Sequence, residues 1–269
     1  MKPVIRPTAL FCLLVACSLG CVTGPSAKDI KQAEINYDLG VGEMRAGRVT
    51  EALKNFLESV KLNPEFAEAH NGLGLAHHLL GNHEKALAHF EKALELKPDY
   101  SEVRNNMARV YISQNRFRLA IPLLRKALED VFLKERYLAE SNLGWSLFQI
   151  GEVDEAFKRV RNALAQNERY CVGYEYLGLM HQSRKEYKEA IREFSELTEK
   201  CPRYITGWLN LGKVHLIQGD AGNGCTALER CRSISRMTDV GRECQRLFDS
   251  SCSDRPPPAH PAEKQGGSQ

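Results

Sequence analysis

Nine cysteines carry most of the chemistry open to this 269-residue chain: three stand at positions 12, 17 and 21, and the rest crowd the C-terminal half as Cys171, Cys201, Cys225, Cys231, Cys244 and Cys252. Thiols in such numbers hold metal or pair as disulfides. A structural zinc site takes its thiolates in close pairs, and no C-x-x-C occurs here. Disulfides are the expectation if the chain is exported, although many pairings of the C-terminal cysteines stay open. His70, His77, His78 and His89 form the other cluster that could bind a metal. Asp154 with Glu155, and Glu186 with Glu189 and Glu193, are paired carboxylates within helical stretches. They read as solvated charges on exposed faces rather than as an acid and a base. Gly40-x-Gly42 and Gly72-x-Gly74 lack the strand and turn that phosphate binding needs. No nucleophile stands beside a base, so no catalysis and no cofactor are expected.

A repeat sets the elements that hold these residues. Gly40, Gly74, Ala108, Gly144, Gly178 and Gly212 recur at intervals of 34, 34, 36, 34 and 34 residues. Each follows an apolar residue: Leu39, Leu73, Met107, Leu143, Leu177 or Leu211. A second small residue comes 12 positions later, at Ala52, Ala86, Ala120, Ala156, Ala190 and Gly224, and 4 beyond it stand Phe56, Phe90, Leu124, Val160, Phe194 and Leu228. Small residues let two antiparallel helices approach closely, and the bulkier ones fill the space between a unit and its neighbour. Pro64, Pro98 and Pro202 close three units, where a ring without an N–H ends a helix. The pattern resembles the tetratricopeptide repeat, and Trp208-Leu-Asn-Leu-Gly-Lys-Val-His215 is nearest its signature. The resemblance implies an all-α, right-handed superhelical solenoid of six repeats over 33–66, 67–100, 101–136, 137–170, 171–204 and 205–238. A capping helix over 239–248 and a tail over 249–269, too rich in proline and glycine to fold, would follow. In this register His77 and His215 fall where the repeat packs an aromatic ring, so the histidines read as packing groups and no metal site is expected.

The N-terminus adds an address. Lys2 and Arg6 precede an uncharged, mostly apolar run from Thr8 to Gly20 that ends at Cys21. That run is too short to span a bilayer but suits the core of a secretory signal. A cysteine placed just after it resembles a bacterial lipoprotein processing site. Leu14-Val15-Ala16-Cys17 fits the usual pattern better than Ser18-Leu19-Gly20-Cys21. Parity favours Cys21, because acylating it leaves an even number of cysteines to pair. Cys21 is therefore the favoured lipid attachment and Cys17 the alternative, with residues 1–20 as signal peptide and 21–32 as a lipidated tether. Val22 is not the aspartate that retains such proteins at the inner membrane, which points outward. The net charge is +3, of which Lys2 and Arg6 supply two, so nothing marks a nucleic-acid partner.

If the capping helix runs antiparallel to the second helix of the last repeat, Cys244 comes level with Cys225 or Cys231, and a bond to one of them is expected. Function should reside in the concave surface lined by the first helix of each repeat. There the register puts Tyr37, Val41, Met44, Leu75, Ile112, Trp145, Phe148, Tyr176 and Leu179. Such side chains are costly to leave in water and serve as partner anchors. Tyr37 and Val41 replace the lysine and asparagine of a clamp for a terminal carboxylate, so an apolar or amphipathic segment is the expected ligand.

A lipoprotein-like signal, six repeats and a short cap resemble the outer-membrane pilotins of type IV pilus secretins, the PilF, PilW and Tgl group. The junction Lys126-Ala-Leu-Glu-Asp130, Val-Phe-Leu-Lys, Glu135-Arg136, running on to Glu140-Ser-Asn-Leu-Gly144, carries that resemblance in detail. It implies a monomeric scaffold, held at the outer membrane by its N-terminal acyl chains and facing the periplasm. Its partner would be a secretin subunit. An adaptor for protein-insertion or cell-wall machinery is the alternative.

Overall fold

The computed structural model describes residues 24–252. The candidate acylation sites Cys17 and Cys21, the rest of the signal segment and residues 253–269 lie outside the described residues. The described residues form thirteen helices and no strand. The first helices of successive units are α1 (Ala27–Arg45), α3 (Ala67–Leu79), α5 (Ser101–Ser113), α7 (Arg136–Gln149), α9 (Cys171–Ser183) and α11 (Ile205–Ile217). The second helices are α2 (Val49–Leu62), α4 (His83–Leu96), α6 (Phe117–Leu128), α8 (Val153–Gln166), α10 (Tyr187–Lys200) and α12 (Ala221–Ile234), and α13 (Asp239–Cys252) caps the last. Each helix packs on its sequence neighbours, and the first helices of adjacent units also touch, α1 on α3, α3 on α5, α5 on α7 and α7 on α9.

Two boundaries differ from the sequence expectation. The stretch read as tether is helical from Ala27, because Ser26 makes a capping box: its hydroxyl accepts from the Asp29 amide and its own amide donates to the Asp29 carboxylate at 3.1 Å. The cap runs to Cys252 rather than 248, because Cys252 is tied to Cys225 and holds the last turn down.

The repeat works as a series of sockets. The ring of Phe56 lies between α1 and α3: a Cβ added at Gly40 would come within 2.5 Å of it, and one at Gly72 within 2.7 Å. Both glycines of Gly72-x-Gly74 are therefore packing positions, Gly74 standing against Phe90. Phe194 meets Gly178 in the same way, and where the bulky residue is Leu124 the small one is Ala108. Burying each phenylalanine stabilises by roughly 1.5–3 kcal/mol. Leu39 departs from its counterparts: it is 53% exposed, because among the described residues no helix packs ahead of α1. Inside each unit the chain turns from first to second helix through a left-handed residue, Gly47, Gly81, Asn115, Gly151, Lys185 and Gly219. The sequence reading passed over this row, although it keeps the same register.

Three disulfides staple the C-terminal half: Cys171–Cys201 within unit five, and Cys231–Cys244 and Cys225–Cys252 joining α12 to α13. Of the two partners left open for Cys244, the structure selects Cys231. Antiparallel packing places Cys252 one stretch further back, opposite Cys225. Loop closure gives each bond about 3 kcal/mol.

Of the carboxylates read as solvated, Glu155, Glu186 and Glu193 are ion-paired. Arg125 grips Glu155 with two hydrogen bonds of 3.1 and 2.9 Å, and Arg159 joins Glu155 to the buried Glu140 at 3.0 and 3.1 Å. Glu186 accepts from His181 Nδ1 and Arg184 at 2.7 Å each. The arginine pairs tie units three and four together, and Glu186 fixes the turn between α9 and α10.

Candidate functional site

Side chains that join successive first helices lie on the face those helices share, and these contacts define the groove from its floor upward. Trp145 on α7 stacks on Tyr176 of α9, with ring centroids 4.6 Å apart and planes 14° from parallel, and Phe148 lies 6.3 Å from the indole. Ile112, Trp145, Phe148 and Tyr176 back onto one core cluster, and Leu179 onto the next. At the other end Tyr37, Val41 and Met44 pack on the core around Phe56, and Leu75 packs on the cluster around Phe90. The structure thus brings the nine residues into two groups, Tyr37 to Leu75 and Ile112 to Leu179. All nine are half-buried rather than freely exposed. Inter-repeat packing covers part of each, because each reaches toward the neighbouring unit.

Polar groups separate and edge the two apolar groups. The amide of Asn106 donates to Asn71, and that of Asn142 to Asn105, both at 3.0 Å, rungs linking α3 to α5 and α5 to α7. A row of aromatic residues at the head of the first helices went unread in the sequence: Phe66, Tyr100, Tyr170 and Tyr204. Phe66 packs 5.2 Å from Tyr37, Tyr204 donates to the Glu175 carboxylate at 2.7 Å, and Lys97 sits 4.4 Å over the Tyr100 ring. Burial, then the Glu68 carboxylate, pushes the Tyr100 phenol up; burial and Glu175 do the same to Tyr204. Burial also raises Tyr170 and Tyr176. All four phenols therefore stay neutral across the physiological range, that of Tyr204 with its hydrogen already given to Glu175. The signal that would have found them is their spacing, 34 between Phe66 and Tyr100 and again between Tyr170 and Tyr204.

The histidines pack. His70 Nε2 faces the Pro64 carbonyl oxygen at 3.0 Å and its Nδ1 faces His89 Nδ1 at 3.2 Å, while His77 stacks on His89. Among the described residues no three His, Cys, Asp or Glu groups converge as a metal would require. The arrangement as a whole is a partly covered apolar floor with neutral phenol and amide groups along it.

Two tetratricopeptide-repeat family models match, over residues 37–101 and 77–139. Residues 37–139 thus carry tetratricopeptide repeats, and the helix pairs that follow them keep the same architecture. PilW, a widely conserved type IV pilus biogenesis factor, superposes on this repeat solenoid with a TM-score of 0.71 at 19% identity, over 79% of this chain and 98% of PilW. PilF from Pseudomonas aeruginosa gives 0.65 at 18% identity, over 81% of this chain and 99% of its own. Cut9 in the Cut9–Hcn1 hetero-tetramer of the APC/C gives 0.72 at 18% identity, with only 43% of that chain matched. At these identities the likeness is one of fold. No curated protein matches the sequence.

Proposed function

We propose that this solenoid is a lipid-anchored pilotin that binds secretin monomers and promotes their assembly in the outer membrane, for type IV pilus biogenesis and pilus-driven motility. The observation that carries the reading is the stacked Trp145–Tyr176 pair with Phe148 beside it, an aromatic floor across units four and five that the isolated chain covers only in part. Such a floor shelters an apolar segment, and a secretin monomer carries one before its ring inserts. The lipoprotein-like N-terminus supports the reading. So does likeness over nearly the full length of two pilus proteins, PilW and PilF. Acyl chains on Cys21, or on Cys17, would hold the scaffold at the inner leaflet, facing the periplasm, as a monomer until the secretin arrives.

Crosslinking and affinity purification of the tagged protein from its own envelope tests this. A secretin should be recovered, with crosslinks near Tyr37, Leu75 or Trp145. Recovery of protein-insertion or cell-wall machinery instead would keep the scaffold and overturn the function. Normal secretin multimers in both Cys21→Ala and Cys17→Ala cells would refute the anchor.

A further inference from the structure

In every unit the first helix begins, and the second ends, at the same edge of the ribbon, so the connections between units share that edge with the N-terminus of α1. Three of the most exposed apolar side chains stand on it. Phe132 is 88% and Val131 77% exposed in the α6–α7 connection, and Met237 is 85% exposed in the α12–α13 connection. The first of these connections is the insertion that stretches the repeat spacing to 36 residues. It is braced. Arg136 donates to the Leu128 and Asp130 carbonyls at 2.7 and 3.0 Å, the Phe132 amide donates to the Asp130 carboxylate at 2.9 Å, and Leu133 is buried beneath. The pair Val131–Phe132 is thus held outward by a built loop whose other apolar residue points in. In the neighbouring connections the aromatic residues Phe66, Tyr100, Tyr170 and Tyr204 are packed instead.

The same edge carries exposed cations. Lys134, Arg169, Arg203 and Arg236 lie in the four C-terminal connections, and none makes an ion pair among the described residues. Carboxylates on this edge are Glu65 and Asp99 in the first two connections, Glu129, Asp130 and Glu135 around the insertion, and Glu168; Glu129 is paired with Lys126 and Asp130 is engaged inside the loop. The chain beyond α1 also leaves from here. Five residues separate Cys21 from Ala27, six chain steps with a reach of at most about 20 Å, and α1 itself projects about 9 Å past the start of the other first helices.

We infer that this edge is a membrane-docking surface, with Val131, Phe132 and Met237 entering the headgroup region and Arg203 and Arg236 meeting anionic lipid phosphates. The α10–α11 and α12–α13 connections carry these cations with no carboxylate among them, whereas Lys134 beside Phe132 stands among Glu129, Asp130 and Glu135, so the apolar pair supplies burial and the C-terminal connections supply the charge. The inference rests on the anchored reading, which brings this edge to the bilayer; docked so, the solenoid would lie along the membrane.

The test uses the acylated full chain reconstituted in phosphatidylethanolamine–phosphatidylglycerol vesicles with brominated acyl chains, which quench nearby indoles. Phe132→Trp changes a residue exposed to solvent, and the added fluorescence is expected to fall by about half. Leu79→Trp, at the opposite edge, should be unaffected. Replacing phosphatidylglycerol by phosphatidylcholine should weaken the quenching; equal quenching would overturn the role of the cations. A chain that floats with the vesicles but leaves the indole at position 132 unquenched would overturn the docking edge alone. A chain that neither floats nor quenches would overturn the anchor as well.

Discussion

Units one to three and units five to six with their cap share one helical geometry, but only the second group is also closed covalently. Both use sockets: Phe56 against Gly40 and Gly72 and Phe90 against Gly74 in the first, Phe194 against Gly178 and Leu228 against Gly212 in the second. The second half is poorer in helix formers. Gly173, Gly207, Gly222, Gly224 and Gly241 all lie within its helices, and each weakens a helix interior by roughly 0.5–1 kcal/mol. Three disulfides lie where those glycines are, none in the first half of the described residues. Covalent closure thus adds to close packing where helix glycines are more frequent, and in a fold whose units touch only their neighbours it sets how each half fails.

Reduction should separate the halves most sharply. With all three bonds opened, units five, six and the cap lose about 3 kcal/mol per bond while units one to three are unaffected. Hydrogen exchange measured with and without reductant should show protection lost only beyond α8; uniform loss would mean the solenoid unfolds as one block. Arg159→Ala, at the boundary, leaves the buried Glu140 with only the Arg136 guanidinium at 3.9 Å and should cost about 3 kcal/mol in thermal or urea unfolding. Gly144→Leu should cost ~2–3 kcal/mol, because even a Cβ there would stand 2.6 Å from Val160 and 2.8 Å from the Ala156 carbonyl oxygen.

Acid should act on the other half. Burial lowers His70 and His77, and burial with the neighbouring histidines takes His89 down to about 4. The unfolded chain therefore binds protons first. Stability is fully present above the ordinary histidine value of about 6.5 and declines as pH falls toward the folded values, by on the order of 2 kcal/mol in unit two. A His89→Gln variant should flatten that slope between those limits. Trp145→Ala should cost about 1–2 kcal/mol, since the indole is half-buried and stacked, and should weaken partner binding tenfold or more in a pull-down titration. The smallest effect is Lys185→Gly, which relieves a left-handed residue at φ 61° and should raise stability by about 0.5 kcal/mol.

The repeat was legible because its spacing is a packing rule: the small residue, the alanine 12 positions on and the bulky residue beyond are one socket read three times. The register places the candidate groove residues on the first helices, but not the Asn71–Asn106 and Asn105–Asn142 rungs among them, which depend on which first helices touch. Periodicity along one helix face cannot report that. The tyrosine row escaped for another reason: Tyr100, Tyr170 and Tyr204 precede their helices and fall outside the helical pattern. Cys244 was narrowed to two partners by antiparallel packing alone, whereas pairing Cys171 with Cys201 needed the ends of α9 and α10 to be located in space.

The exposed Leu39 gives the ribbon a polarity. At one end α13 is bonded over the last described unit; at the other, Ile35 and Leu39 keep the surface that a preceding unit would cover. Growth of this core, by duplication of a unit or by a helix borrowed from another chain, would find its open apolar surface at this second end, as a filament does at its growing tip. An added unit would enter ahead of α1 and leave every disulfide where it is.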